Sequence, residues 1–207
     1  MTKRLLLVGG TGGLGKQVYD ILKDKYHVDS FGSDMSIQEP LKMGLDYDIV
    51  INLATINIDG LFTNLMDSDI EKMIQVNVIG HSHVCAACIP YMKLKGYGRI
   101  IYISSILGDN PIKGTSIYAA GKKFCETLTR TIGLENAKYG ITANSIALGY
   151  FNGGLTNKVP EKILEKVLST NPLKRLGNVE EICNAIEFIV NTEYFNASTL
   201  KLDGGQC

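Results

Sequence analysis

Apolar positions along this chain fall into short runs of strand length, separated by longer amphipathic stretches. Arg4–Val8 (RLLLV), residues 48–53 (DIVINL), residues 99–104 (RIIYIS) and Ile141–Leu148 (ITANSIAL) read as strands of a sheet covered on both faces. His27–Phe31 and residues 200–202 add two shorter strands. Between them the pattern predicts helices over residues 16–25, 68–95, 118–139, 160–169 and 179–191. Ser68 and Glu71 have capping-box spacing at the start of the second, and Gly140 stands where the third should stop. Strands alternate with helices, with no linker and no internal repeat. This predicts an α/β fold: a doubly wound parallel sheet with helices on both faces, one domain over residues 1–207. From Ser33 to Asp46 there is room only for a vestigial third strand and a short helix near residues 38–45, so the fold is shortened there.

The first strand runs straight into Gly9-Gly10-Thr11-Gly12-Gly13-Leu14-Gly15 and then a helix. Glycines allow a tight turn and close backbone approach, and a helix N-terminus offers free N–H groups to a pyrophosphate. This is half of a dinucleotide-binding unit, with Gly9, Thr11, Gly12, Gly13, Leu14 and Gly15 as the expected cradle. Asn52 and Ala54, at the end of the 48–53 strand, and Gly149 and Phe151, after Ile141–Leu148, belong to the same crevice. The residue after the second strand selects the cofactor. Gly32 and Ser33 stand there with no acidic group to bond the ribose hydroxyls, and Asp34 follows. Ser33 can donate to an added phosphate, so NADP(H) is expected over NAD(H). An inward-turned Asp34 would reverse that preference.

The densest chemistry lies between Gly98 and Lys122. Ser105 sits just past a strand, 13 residues before Tyr118, and Lys122 follows four residues after the tyrosine. Four residues apart on a helix share a face. A phenol with pKa about 10 is a poor acid or base at neutral pH, and a neighbouring ammonium favours its phenolate. The three groups suit proton exchange with a substrate oxygen. Y-x-x-x-K alone is equally the spacing of a core tyrosine and a solvated lysine, so the remainder of the chain must decide.

Composition narrows the setting. Apolar residues make up 45% and charged residues 20%, with 21 basic against 21 acidic side chains. That balance gives no reason to expect nucleic acid or an anionic membrane as partner. No apolar run reaches the roughly 18 residues of a membrane span, and the apolar start is too short for a signal peptide. Five cysteines, an odd number, are expected to be reduced, and the protein cytoplasmic. Cys85 and Cys88 form one C-x-x-C without a second pair, and His81 and His83 diverge on a helix; no metal is expected.

Taken together, these residues resemble the classical short-chain dehydrogenase/reductase family over nearly the whole chain, and 3-oxoacyl-acyl-carrier-protein reductases in particular. Gly9, Gly13 and Gly15 match its T-G-x-x-x-G-x-G except that Val8 replaces the threonine. Asn77, Ser105, Tyr118 and Lys122 match its catalytic tetrad in order and spacing. Pro172 to Gly177 with Glu180-Glu181-Ile182, and Asp203-Gly204-Gly205, match its C-terminal segments. The resemblance implies a Rossmann-type fold and hydride transfer between NAD(P) and a carbonyl or alcohol, with Tyr118 as proton donor or acceptor. Ser105 would hold the oxygen, Lys122 would lower the tyrosine pKa and bind ribose, and Asn77 would anchor a relay water. It further implies a small-molecule substrate and a homodimer or homotetramer, with the helices over 68–95 and 118–139 pairing across a two-fold axis. The family's P-G-x-x-x-T is departed from at Leu148 and Gly153, which lack its proline and threonine. Dehydration or epimerisation on the same fold, and cofactor sensing without turnover, are the alternative readings.

Overall fold

The computed structural model describes residues 2–32 and 45–207. Six parallel strands form one sheet in the order β2-β1-β3-β4-β5-β6: β1 Arg4–Val8, β2 His27–Phe31, β3 Ile49–Asn52, β4 Gly98–Ser105, β5 Ile141–Leu148 and β6 Thr199–Leu202. The helices are α1 Gly13–Leu22, α2 Asp67–Ile74, α3 Gly80–Lys95, α4 Ser116–Asn136, α5 Glu161–Thr170 and α6 Val179–Asn191. β1, β3, β4 and β5 are buried almost throughout, and the edge strands β2 and β6 are only partly covered.

Period-two alternation sends successive side chains to opposite faces, and each face has its own core. Leu5, Leu7, Ile49, Ile51, Ile101 and Ile146 pack with Val18 and Leu22 of α1 and Ile182, Ile186 and Ile189 of α6. On the other face Leu6, Val8, Val50, Ile100 and Ala143 meet Val84, Cys85, Cys88 and Met92 of α3 and Ile132 of α4. Neither helix layer could be removed without exposing half of every strand, which is why the hydrophobic runs are continuous rather than alternating.

Chain order reverses beside β1, which pairs with β2 on one side and β3 on the other. In open parallel sheets such a reversal leaves a crevice at the strands' carboxyl ends. Gly9 shapes it: its φ is +86°, and a Cβ there would lie 2.5 Å from the Ala54 nitrogen.

Several expected boundaries move. α1 starts at Gly13 and ends at Leu22, where the periodicity predicts 16–25, because the glycines enter the helix instead of preceding it. The helix expected over 68–95 is interrupted by a π-helical segment, Gln75–Ile79, between α2 and α3. Its capping-box reading also shifts: Asp69, not Glu71, reaches back to the nitrogen of Met66 (3.4 Å). Residues 137–139 tighten into a 3-10 turn, and Gly140 closes the helix with φ +71°. Ser105 is the last residue of β4 rather than the first beyond it. The vestigial strand, most of the helix near residues 38–45, Ser33 and Asp34 lie outside the described residues. Among the described residues no helix is long and apolar enough to cross a membrane.

Candidate active site

A cavity of about 420 Å³ opens at the carboxyl ends of β1, β3, β4 and β5. Its floor is the glycine-rich turn, where Gly9, Thr11, Gly12, Gly13, Leu14 and Gly15 all face the cavity. The backbone there is packed too closely for side chains on the sheet side: a Cβ on Gly15 would lie 2.0 Å from the Gly9 carbonyl oxygen. On the open side a Cβ at Gly12 would meet nothing within 4 Å. The first turn of α1 has no side-chain cap on Gly12 and no acidic residue, so its free N–H groups remain available to an anion. Among the described residues no carboxylate lines the cavity, whereas two lysines do, Lys122 and Lys158. A glycine cradle, a bare helix N-terminus and a cation-only lining fit a dinucleotide pyrophosphate.

The opposite wall carries Ser105, Tyr118 and Lys122. Strand geometry delivers Ser105 at the end of β4, and its Oγ accepts from the Leu107 nitrogen (3.2 Å), which fixes the side chain at the sheet edge. Tyr118 and Lys122 come from the first turns of α4 and are both buried. Lys122 Nζ donates to the Ile103 carbonyl (2.8 Å) and lies 4.9 Å from the Tyr102 ring centre and 5.5 Å from that of Tyr118. Burial drives the Lys122 ammonium down to about 8, and Cys125 and Glu126 oppose that shift.

The phenol differs from the resemblance's expectation. Burial pushes Tyr118 up to about 12, and the hydrogen-bonding contribution of Ser105 only partly draws it back. Lys122 is not among the groups that set the value. Desolvation of the phenolate outweighs the distant ammonium. A phenol in this state keeps its proton at neutral pH.

Two expected residues stand behind the wall rather than in it. Asn52 is buried: its Oδ1 accepts from the Ala54 nitrogen (2.9 Å), and its Nδ2 lies 3.2 Å from His81 Nδ1. It thereby sets the bend after β3 that brings Ala54 into the cavity. Asn77 sits in the π-helical segment, donating to the Ile56 carbonyl and accepting from the Ile56 nitrogen, both at 2.8 Å. Its own carbonyl accepts from the Cys125 thiol at 3.2 Å. Any part of Asn77 in a proton relay therefore runs through its backbone, because its side chain is committed to the loop after β3.

His81 also belongs to this buried layer. Thr129 Oγ1 lies 2.9 Å from its Nε2, and burial first, then the charge of Lys122, drives the imidazole down to about 3. It stays neutral at ordinary pH. Among the described residues no group of three His, Cys, Asp or Glu side chains is placed to hold a metal ion.

Gly149 and Phe151 line the cavity as expected. Phe151 is buried and makes a parallel bridge to Gly177, where any Cβ would lie 2.4 Å from the ring. Leu53 and Thr55, in the 52–55 stretch expected at the crevice, line it as well, and sequence reasoning missed Ile103, Ser104 and Leu148. Their signal was present, since each lies at or just beyond the carboxyl end of a buried strand. It also missed Leu155, Thr156 and Lys158, in the turn Gly154–Lys158, for which local sequence held no signal.

A six-stranded parallel sheet with a glycine-rich crevice and a Ser-Tyr-Lys wall defines a nucleotide-dependent α/β enzyme. The family description "short chain dehydrogenase" matches residues 37–164. A 3-oxoacyl-[acyl-carrier-protein] reductase of Rickettsia typhi is 30% identical over 207 residues, covering 98% of this chain and 82% of its own. An acetoacetyl-CoA reductase of Rhizobium meliloti is 33% identical over 162 residues, covering 77% and 67%. Among solved structures, a gluconate 5-dehydrogenase from Burkholderia cenocepacia, in complex with NADP and tartrate, has the same fold. It superposes with a TM-score of 0.86 at 24% identity, covering 99% of this chain and 94% of that one. The chain belongs to the short-chain dehydrogenase/reductase family and is an NAD(P)-dependent oxidoreductase.

Proposed function

We propose that this enzyme interconverts a carbonyl and an alcohol on a 3-oxoacyl-type substrate, using NADP(H) in preference to NAD(H). The observation that carries this reading is one cavity walled by Ser105, Tyr118 and Lys122 and floored by the glycine-rich turn. Bound nicotinamide supplies or accepts the hydride. Within the reading, Tyr118 gives its phenolic proton to the carbonyl oxygen as negative charge builds there, a task suited to a phenol near 12. Ser105 holds the same oxygen from the end of β4. Lys122 holds the nicotinamide ribose, and Asn77 takes part in proton relay from its backbone. Fixing donor, oxygen and acid in one wall is orientation catalysis. The 3-oxoacyl assignment is supported by what the two relatives are named for. The cofactor preference is supported by Gly32 and Ser33, where an acidic group would repel a ribose phosphate.

The test is a panel of 3-oxoacyl thioesters and unrelated ketones, followed at the reduced nicotinamide absorbance with each cofactor. Fastest turnover is expected for a 3-oxoacyl thioester with NADPH. Absence of turnover on every carbonyl despite tight cofactor binding would overturn the activity. NADH binding as tightly as NADPH would overturn the preference.

A homodimer or homotetramer belongs to the same proposal, on narrower grounds than the sequence suggests. Val84 and Ala87, apolar positions of the helix expected to pair, are buried within the protomer and leave nothing for a partner to cover. Ala86, Phe124 and Leu134 remain exposed on α3 and α4, with Leu128 partly so. An isologous pairing of these helices would cover them. Sedimentation at micromolar concentration should give at least a dimer; a monomer contradicts the pairing.

A further inference from the structure

We infer that Lys158 is this enzyme's counter-charge for the cofactor pyrophosphate, delivered by the turn after β5; this rests on the cofactor reading above. Gly153 and Gly154 have φ of +110° and +59°, which turns the chain back after Phe151. The turn then seats on the start of α1. A Cβ on Gly13 would lie 3.1 Å from the Gly154 Cα, one on Gly154 would lie 3.2 Å from Leu14 Cβ, and one on Gly153 would lie 2.7 Å from Gln17 Nε2. Lys158 closes this turn, is exposed, and lines the cavity.

Charge accounting singles it out. A pyrophosphate brings two negative charges to a helix end equivalent to about +0.5. Among the described residues the cavity lining has two cations, and Lys122 is buried with its Nζ on the Ile103 carbonyl at the catalytic wall. Lys158 is the other, and among the described residues it has no carboxylate partner. Since its turn packs on the first residues of α1, its charge falls to the pyrophosphate and not to the adenosine phosphate, whose expected place is beyond β2. The turn is therefore a second binding arm built from a segment that lacks the family's threonine at Gly153.

Fluorescence titration of NADPH and NADH against wild type, Lys158→Met and Lys158→Arg tests this. One charge-assisted contact at an exposed position should be worth about a 3- to 5-fold change in Kd. Lys158→Met is expected to weaken both cofactors by the same factor and Lys158→Arg to stay within about two-fold of wild type. Added salt should weaken wild type more than the Met variant, because screening acts on a charge the variant lacks. Binding of adenosine, which has no phosphate, should not change. Unchanged Kd in Lys158→Met, or equal losses in Met and Arg, would overturn the inference. So would a loss confined to NADPH, which would move Lys158 to the adenosine phosphate. If wild type binds neither cofactor, the cofactor reading itself fails, whereas wild-type binding that Lys158→Met leaves intact defeats only the present inference.

Discussion

Tyr118→Phe should lower kcat by about 10²- to 10⁴-fold, the usual range for loss of a positioned acid, while the Kd for NADPH stays within about two-fold. The phenyl ring keeps its buried place beneath the cavity, and only the hydroxyl is lost. Burial holds that hydroxyl protonated through neutrality, so the wild-type rate should show no loss from tyrosine ionisation as pH rises from about 6 to about 9. Stopped-flow turnover with parallel cofactor titration measures both quantities. A variant keeping more than about a tenth of wild-type kcat would remove Tyr118 from the chemistry. A variant that lost cofactor binding as well would give the hydroxyl a binding role that the proposed mechanism does not assign.

Lys122→Met should abolish measurable turnover yet leave the fold as stable as wild type, or more stable by up to about 2 kcal/mol near pH 7. Folding takes the Lys122 ammonium out of water, lowering its pKa from 10.5 to about 8. The unfolded chain therefore holds that proton more tightly. Below about pH 8 the folded lysine carries the full cost, of order 3 kcal/mol at 1.36 kcal/mol per pKa unit. Between about 8 and 10.5 the unfolded state binds more protons than the folded one, so wild-type stability rises with pH. Methionine of similar volume removes that cost but leaves the Ile103 carbonyl without its donor, which is worth about 1–3 kcal/mol. Urea denaturation of the two proteins from pH 7 to 10.5 should show the Met advantage shrinking and then reversing. A pH-independent difference would mean that Lys122 is not desolvated. Turnover within ten-fold of wild type would remove it from the site.

Much of this site was legible in one dimension because its parts are local. The glycine turn needs particular backbone angles and close approaches between neighbours, which only a few residue types permit. Tyr118 and Lys122 are one helical turn apart, and Ser105 ends the strand that precedes them. Ile141–Leu148 and Val179–Asn191 were bounded correctly because a glycine, or a capping asparagine with a glutamate three residues on, sets their ends by local hydrogen bonding. Helix continuity was less legible. Residues 68–95 have an apolar pattern that runs through Asn77, yet Asn77 reaches across to Ile56, 21 residues earlier, and the helix widens into a π turn there. No pattern confined to the helix encodes that bond.

What the sequence determined by itself was the alternation of strands and helices, the glycine cradle and the order of Ser105, Tyr118 and Lys122, because each follows from contacts within a few residues. The tertiary structure alone decided three further things. It set the proton affinities of Tyr118 and Lys122, which depend on how completely the packed chain removes water from them. It placed Asn52 and Asn77 behind the cavity wall, where Asn77 holds Ile56, 21 residues earlier, and Asn52 meets His81, 29 residues on. It also carried the turn that begins at Gly153 and Gly154 back to the start of α1, across about 140 positions, because these two glycines adopt angles that other residues rarely do. Burial and long-range closure are properties of the folded whole, and no local spacing records them.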